Sequence, residues 1–70
     1  MRYAIVIEKA GDNYSAYVPD LQGCIATGET IEEVQAFIRE AIESHLDGMR
    51  EDGVAIPAPS SHVDYIEVAA

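Results

Sequence analysis

The sequence predicts an α+β domain of order βββαβ, a three-stranded antiparallel meander plus a fourth strand, with one amphipathic helix packed on one face. Three observations carry that prediction. Two β-rich runs flank turn residues near the N-terminus, a stripe of apolar residues at three- and four-residue spacing follows Thr30, and an alternating run lies beyond Pro57 and Pro59.

The opening "MRYAIVIEK" holds β-branched and aromatic residues in a continuous apolar run, which suits a strand buried on part of both faces. "AGDN" supplies turn chemistry, and "YSAYVPD" returns as a second strand with Tyr14, Ala16 and Val18 on one face and Ser15 and Tyr17 on the other. Pro19 lacks an N–H, so this strand is expected to stop near Val18. After the tight "DLQG" connection, "CIATG" forms a short third strand, and the small residues Cys24 and Ala26 share a face that lets a helix come close.

Thr30 suits an N-cap, its hydroxyl accepting an orphan N–H while Glu33 reaches back to the Thr30 amide. Ile31, Val34, Ile38, Ala41, Ile42, His45 and Met49 then form the dry stripe, edged by Phe37 and Leu46. Gly53 is the expected positive-φ stop, with Gly48 as the earlier alternative. "VAIPAPSS" reads as an extended connection, and "HVDYIEV", His62 to Val68, as the fourth strand. One helix covers one sheet face, so the other is left apolar and open, and self-association into a dimer or higher oligomer is expected.

At 70 residues the chain holds one domain, 1–70, of a size at which a single core is marginal. Thirteen carboxylates oppose four Arg and Lys, for a formal charge of -9. That field disfavours direct nucleic-acid binding, which needs clustered cations, and favours a basic protein partner. Cys24 is the lone cysteine, so no intrachain disulfide framework exists. The longest apolar run, "YAIVI", is far short of the ~20 residues that span a bilayer. With no secretory pattern either, a cytoplasmic protein without membrane attachment is expected.

No residue set demands catalysis or a cofactor. A nucleophilic Cys24 needs a base beside it and a lowered pKa, and acidic surroundings oppose the thiolate. His45 falls in the apolar stripe, His62 lies near Asp64, and one Cys with two His lacks zinc-ligand spacing. Asp12, Asp20, Glu29 and Glu33 lie near element ends, the kind of place where carboxylates can hold a divalent ion for hydrolysis, but turn and cap roles account for them. "GCIATGET" lacks both the P-loop ending and the dinucleotide spacing.

The order of "YAIVIEK", "YSAYVPDLQGCIATGETIEEV", "FIREAIESHLDGMREDG" and "IPAPS" over almost the whole chain resembles the HicB-like antitoxin family. That resemblance implies a partial ribonuclease-H-like fold and no enzyme activity. It also implies a protein that binds and inhibits a small basic messenger-RNA-cleaving toxin of the HicA type, blocking its catalytic histidine or RNA-binding surface. Asp20, Leu21, Gly23 and Cys24 match the family's turn, and Ile56 and Pro57 its post-helix connection. Gln22 stands where the usual motif has proline. Many members add a C-terminal DNA-binding module, and a separate domain of that kind is not expected here.

The expected mechanism is steric and electrostatic. Tyr17, Asp20, Glu40, Glu43, Asp47 and Glu51 are the candidate partner-binding residues, the acids pairing with cations that otherwise hold RNA. Two alternatives come from other classes: a homo-oligomeric regulatory module whose partner is not a ribonuclease, and a metal-dependent hydrolase.

Overall fold

In the computed structural model, which describes residues 1–70, the elements run β1 (Val6–Ala10), β2 (Asn13–Tyr17), β3 (Ile25–Gly28) and α1 (Ile31–Glu51). The strands form one antiparallel sheet in the order β1-β2-β3. β1 starts later than its composition suggests, for a reason supplied by its neighbour. Val6 pairs with Tyr17, and beyond Tyr17 the chain enters the Pro19 turn, so residues 1–5 have no strand opposite them. Tyr3 and Ile5 nevertheless pack against the core.

The register sorts the side chains. Ile7, Ala16 and Ala26 form one cross-strand row and Val6, Tyr17 and Ile25 the adjacent one, so the two rows face opposite ways. The first row faces α1. Ala16, Val18, Leu21, Cys24, Val34 and Ile38 make the buried cluster, with Ala41, Ile42 and Leu46 packed against it. Small sheet residues permit the close approach anticipated from the sequence, and Gly28 meets the main chain of Val34 directly.

Between β2 and β3 two tight turns run in series. The Leu21 amide donates to the Val18 carbonyl and the Cys24 amide to the Leu21 carbonyl, while the Val18 amide reaches the Cys24 carbonyl and closes the loop. In the first turn Pro19 holds the second position, where its fixed φ fits. In the second, Gly23 holds the third position at φ 82°, which a type II turn requires. Gln22 therefore sits at the second position of a type II turn, the place proline favours.

The helix begins and ends as its residues dictate. Thr30 caps it, its hydroxyl accepting from the Glu33 amide at 3.0 Å. The Glu33 carboxylate passes the expected Thr30 amide and accepts instead from Glu29, at 2.9 Å. At the other end the Gly53 amide donates to the Arg50 carbonyl and the Val54 amide to that of Met49, a Schellman closure with Gly53 at φ 68°. Gly48 lies inside the helix and does not end it.

The fourth strand expected at His62–Val68 is absent: the chain from Gly53's far side to Ala70 belongs to no helix or strand, giving βββα. Alternation reports which faces a segment can bury, not whether a neighbouring strand is at hand. Here no backbone hydrogen bond joins His62–Val68 to β1 or β3, and all seven of its side chains are exposed.

Candidate partner-binding surface

Four of the six candidate residues lie together. Glu40, Glu43, Asp47 and Glu51 follow three- and four-residue spacing along α1, so they occupy one exposed stripe, on the side of the helix away from Val34 and Ile38. Two are partly answered within the chain: Arg39 reaches Glu43 at 3.4 Å, and Arg50 reaches Asp47 at 3.0 Å. Both pairs are exposed, and such pairs are individually worth ~0–1 kcal/mol. Glu40 and Glu51 have no cation partner in the chain. Phe37 stands three residues before Glu40 and is 43% exposed, placing an aromatic side chain beside the acids.

Tyr17 lies on the other side of the molecule. It is 42% exposed in the row with Val6 and with Ile25, which is 68% exposed, on the sheet face that α1 leaves uncovered. The sheet separates it from the acidic stripe, so the six residues do not make one surface. Sequence reasoning did not single out Phe37 as a contact, though helix spacing contains it.

Asp20 is committed to its own chain. Its carboxylate accepts the backbone amides of Ser60 and Ser61, each at 3.0 Å, and their hydroxyls at 3.0 and 2.8 Å. These bonds, led by the Ser61 amide, hold its pKa at about 2, below the ordinary 3.8. The Tyr3 hydroxyl donates to the Pro57 carbonyl, a second tie on the same connection. Asp20 thus links the first turn to the segment after the helix. Leu21 and Cys24 are core residues, and Ile56 and Pro57 are half-buried where the connection crosses the N-terminal residues.

Nothing in the arrangement assembles a reaction centre from the residues named above. Cys24 is buried, and that burial pushes its thiol pKa up, opposite to the shift a nucleophile needs. His45 is half-buried on α1 and His62 exposed in the final segment. No three His, Cys, Asp or Glu side chains gather as a metal-binding group. No helix is long and apolar enough to cross a membrane.

Comparison with known proteins gives the same picture at the level of family. The chain is 41% identical over 66 residues to an uncharacterised 14.9 kDa protein from the rep-hol intergenic region of Haemophilus phage HP1, covering 94% of this chain and 50% of that one. A UPF0150 protein of Helicobacter pylori is 40% identical over 65 residues, covering 91% and 90% respectively. Antitoxin HicB 2 of Photorhabdus laumondii is 31% identical over 71 residues, covering 100% of this chain and 51% of its own. The chain therefore spans about half the length of the phage and Photorhabdus relatives. No solved structure matches it. The family model for the HicB-like antitoxin of bacterial toxin-antitoxin systems matches residues 3–69, a span that takes in every strand, the helix and the Asp20 tie, and the chain belongs to that family.

Proposed function

We propose that this protein binds and inhibits a small basic messenger-RNA-cleaving toxin of the HicA type through the outer face of α1. The observation that carries the reading is the stripe of Glu40, Glu43, Asp47 and Glu51, four acids on one helix side in a chain of net charge -9. Such a field speeds encounter with a cationic surface, and the carboxylates then occupy positions that RNA phosphates would take. Exposed charge pairs alone do not hold a tight complex, so Phe37 supplies the apolar anchor beside them. Inhibition follows from occlusion. The protein need contribute no catalytic group, only a surface that competes with RNA for the same cations.

The test is co-purification with a small basic ribonuclease of the HicA type co-expressed with this protein, followed by an RNA-cleavage assay. Cleavage is expected to stop at one equivalent of this protein. Undiminished cleavage at saturating protein rejects inhibition, and full inhibition by a Glu40→Lys, Glu51→Lys double variant with unchanged affinity moves the contact away from the helix.

A further inference from the structure

Two parts of this molecule lack a counterpart within the chain. The first is His62–Val68, in which Val63 and Tyr65 alternate with Asp64, Ile66 and Val68. Tyr65 is 91%, Ile66 81% and Val68 73% exposed, which leaves this β-prone run in water. The second is the outer side of β1. The sheet order gives β1 only β2 as a neighbour, and residues 1–5 continue past the end of β2 with no strand on either side. Between those residues and α1 lies a cleft of about 430 Å³ whose apolar wall includes Tyr3, Ile5, Ile38, Ile42 and Leu46.

The charges also match. Both of the chain's ion pairs use helix cations, Arg39 and Arg50, whereas Arg2 and Lys9 on the N-terminal segment have no acidic partner. The final segment carries Asp64 and Glu67.

His62 and Val63 share a cleft with Arg2, Tyr3 and Ala4 of their own chain, and the segment stands clear of the molecule only beyond them. Its root is pinned by the Asp20 bonds to Ser60 and Ser61, and beyond that point every residue is exposed. The Cα radius of gyration is 13.7 Å, against about 11 Å for a compact chain of this length. The longest axis is 48 Å, well beyond the ~32 Å that the helix itself spans.

We propose that His62–Val68 is the fourth strand of a neighbouring copy: it adds to the free edge of β1 in a second molecule and lays apolar side chains into that molecule's cleft, and the exchange is reciprocal. An extended segment of this length exposes roughly 1,100 Å² at about 1.45 Å² per dalton. Covering half of it, together with equal areas on the acceptor and in the reciprocal contact, buries roughly 2,200 Å², above the ~1,600 Å² of a standard stable interface. The proposal does not rest on the toxin-binding reading: Glu43 borders the cleft, but the contacts proposed use neither Phe37 nor Glu40, Asp47 and Glu51.

Sedimentation equilibrium of the full chain and of Ile66→Asp tests it, with an isotope-filtered NOE experiment on a mixture of labelled and unlabelled copies. The expected results are a dimer for the parent chain and a dissociation constant at least about thirtyfold weaker for Ile66→Asp, whose helical circular dichroism is unchanged. Contacts from Tyr65 and Ile66 to the Tyr3–Ile7 segment are expected between molecules. A monomeric parent chain, a dimer indifferent to Ile66→Asp, or such contacts found only within one molecule each overturn the proposal.

Discussion

Replacing Gly28 by alanine tests the closest contact in the fold. A Cβ there sits 2.8 Å from the Val34 nitrogen, 3.1 Å from its Cα and 3.2 Å from the Glu33 carbonyl carbon. All three are main-chain atoms of the first helical turn, so no rotamer change relieves the clash and β3 must retreat from α1. Overpacking of this kind costs about 1–3 kcal/mol. A domain of this length has roughly 4–10 kcal/mol of total stability, so the loss is a large fraction of it. At about 4–8 °C per kcal/mol, Gly28→Ala lowers the melting temperature by about 4–24 °C. Gly48→Ala is the matched control. It lies inside α1 with open space around it, and it gains about 1 kcal/mol in helix propensity, raising the melting temperature by about 4–8 °C. Thermal melts followed at 222 nm, at one protein concentration for all three chains, read both effects. A Gly28→Ala melt indistinguishable from the parent's, or one that moves the same way as Gly48→Ala, refutes the close-approach reasoning.

Gln22→Pro should stabilise the chain by about 0.4–1 kcal/mol, because the second position of a type II turn already has the proline φ and the Gln22 amide makes no backbone hydrogen bond; an unchanged or lower denaturation midpoint counts against the turn assignment. The Asp20 tie is pH-dependent with a definite sign. Its pKa is lowered in the fold, so its contribution is complete above about 3.8 and disappears as pH falls through about 2, and hydrogen exchange at the Ser60 and Ser61 amides should become faster over that interval. Asp20→Asn should free the same two amides at neutral pH; protection equal to the parent's would show that other bonds hold the connection. Native Cys24 should react with iodoacetamide far more slowly than the unfolded chain does, since it is buried and its thiol is held protonated, and comparable rates would contradict its place in the core.

The elements legible in the sequence are those whose causes are local. Thr30 and Glu33 lie three residues apart, the bonds that close the helix at Gly53 span no more than five residues, and Pro19 and Gly23 fix the turns between strands. Within the expected stripe, Val34, Ile38, Ala41 and Ile42 do mark the packed side of α1, whereas Ile31 is exposed and His45 and Met49 are only half-buried. What escaped was set by distance along the chain. Asp20 reads as a free acid until Ser60, forty residues away, is seen to claim it. The final run has strand chemistry but no strand beside it, and a period-2 pattern carries no information about a partner's position. The division between Tyr17 and the helix acids was implicit, because Tyr17 alternates away from Ala16 and Val18 and the helix lies over the face those two share. Following that alternation through one more step separates the two groups without coordinates.

That division bears on stoichiometry. With Val6, Tyr17 and Ile25 looking one way and the acids of α1 the other, the slab has two broad sides that share no residue. A guest seated on the helix leaves the opposite side vacant, so two different neighbours can be held at once and neither has to leave for the other to arrive. Titration against a helix-binding guest then saturates at one per chain, whatever has already settled on the strands.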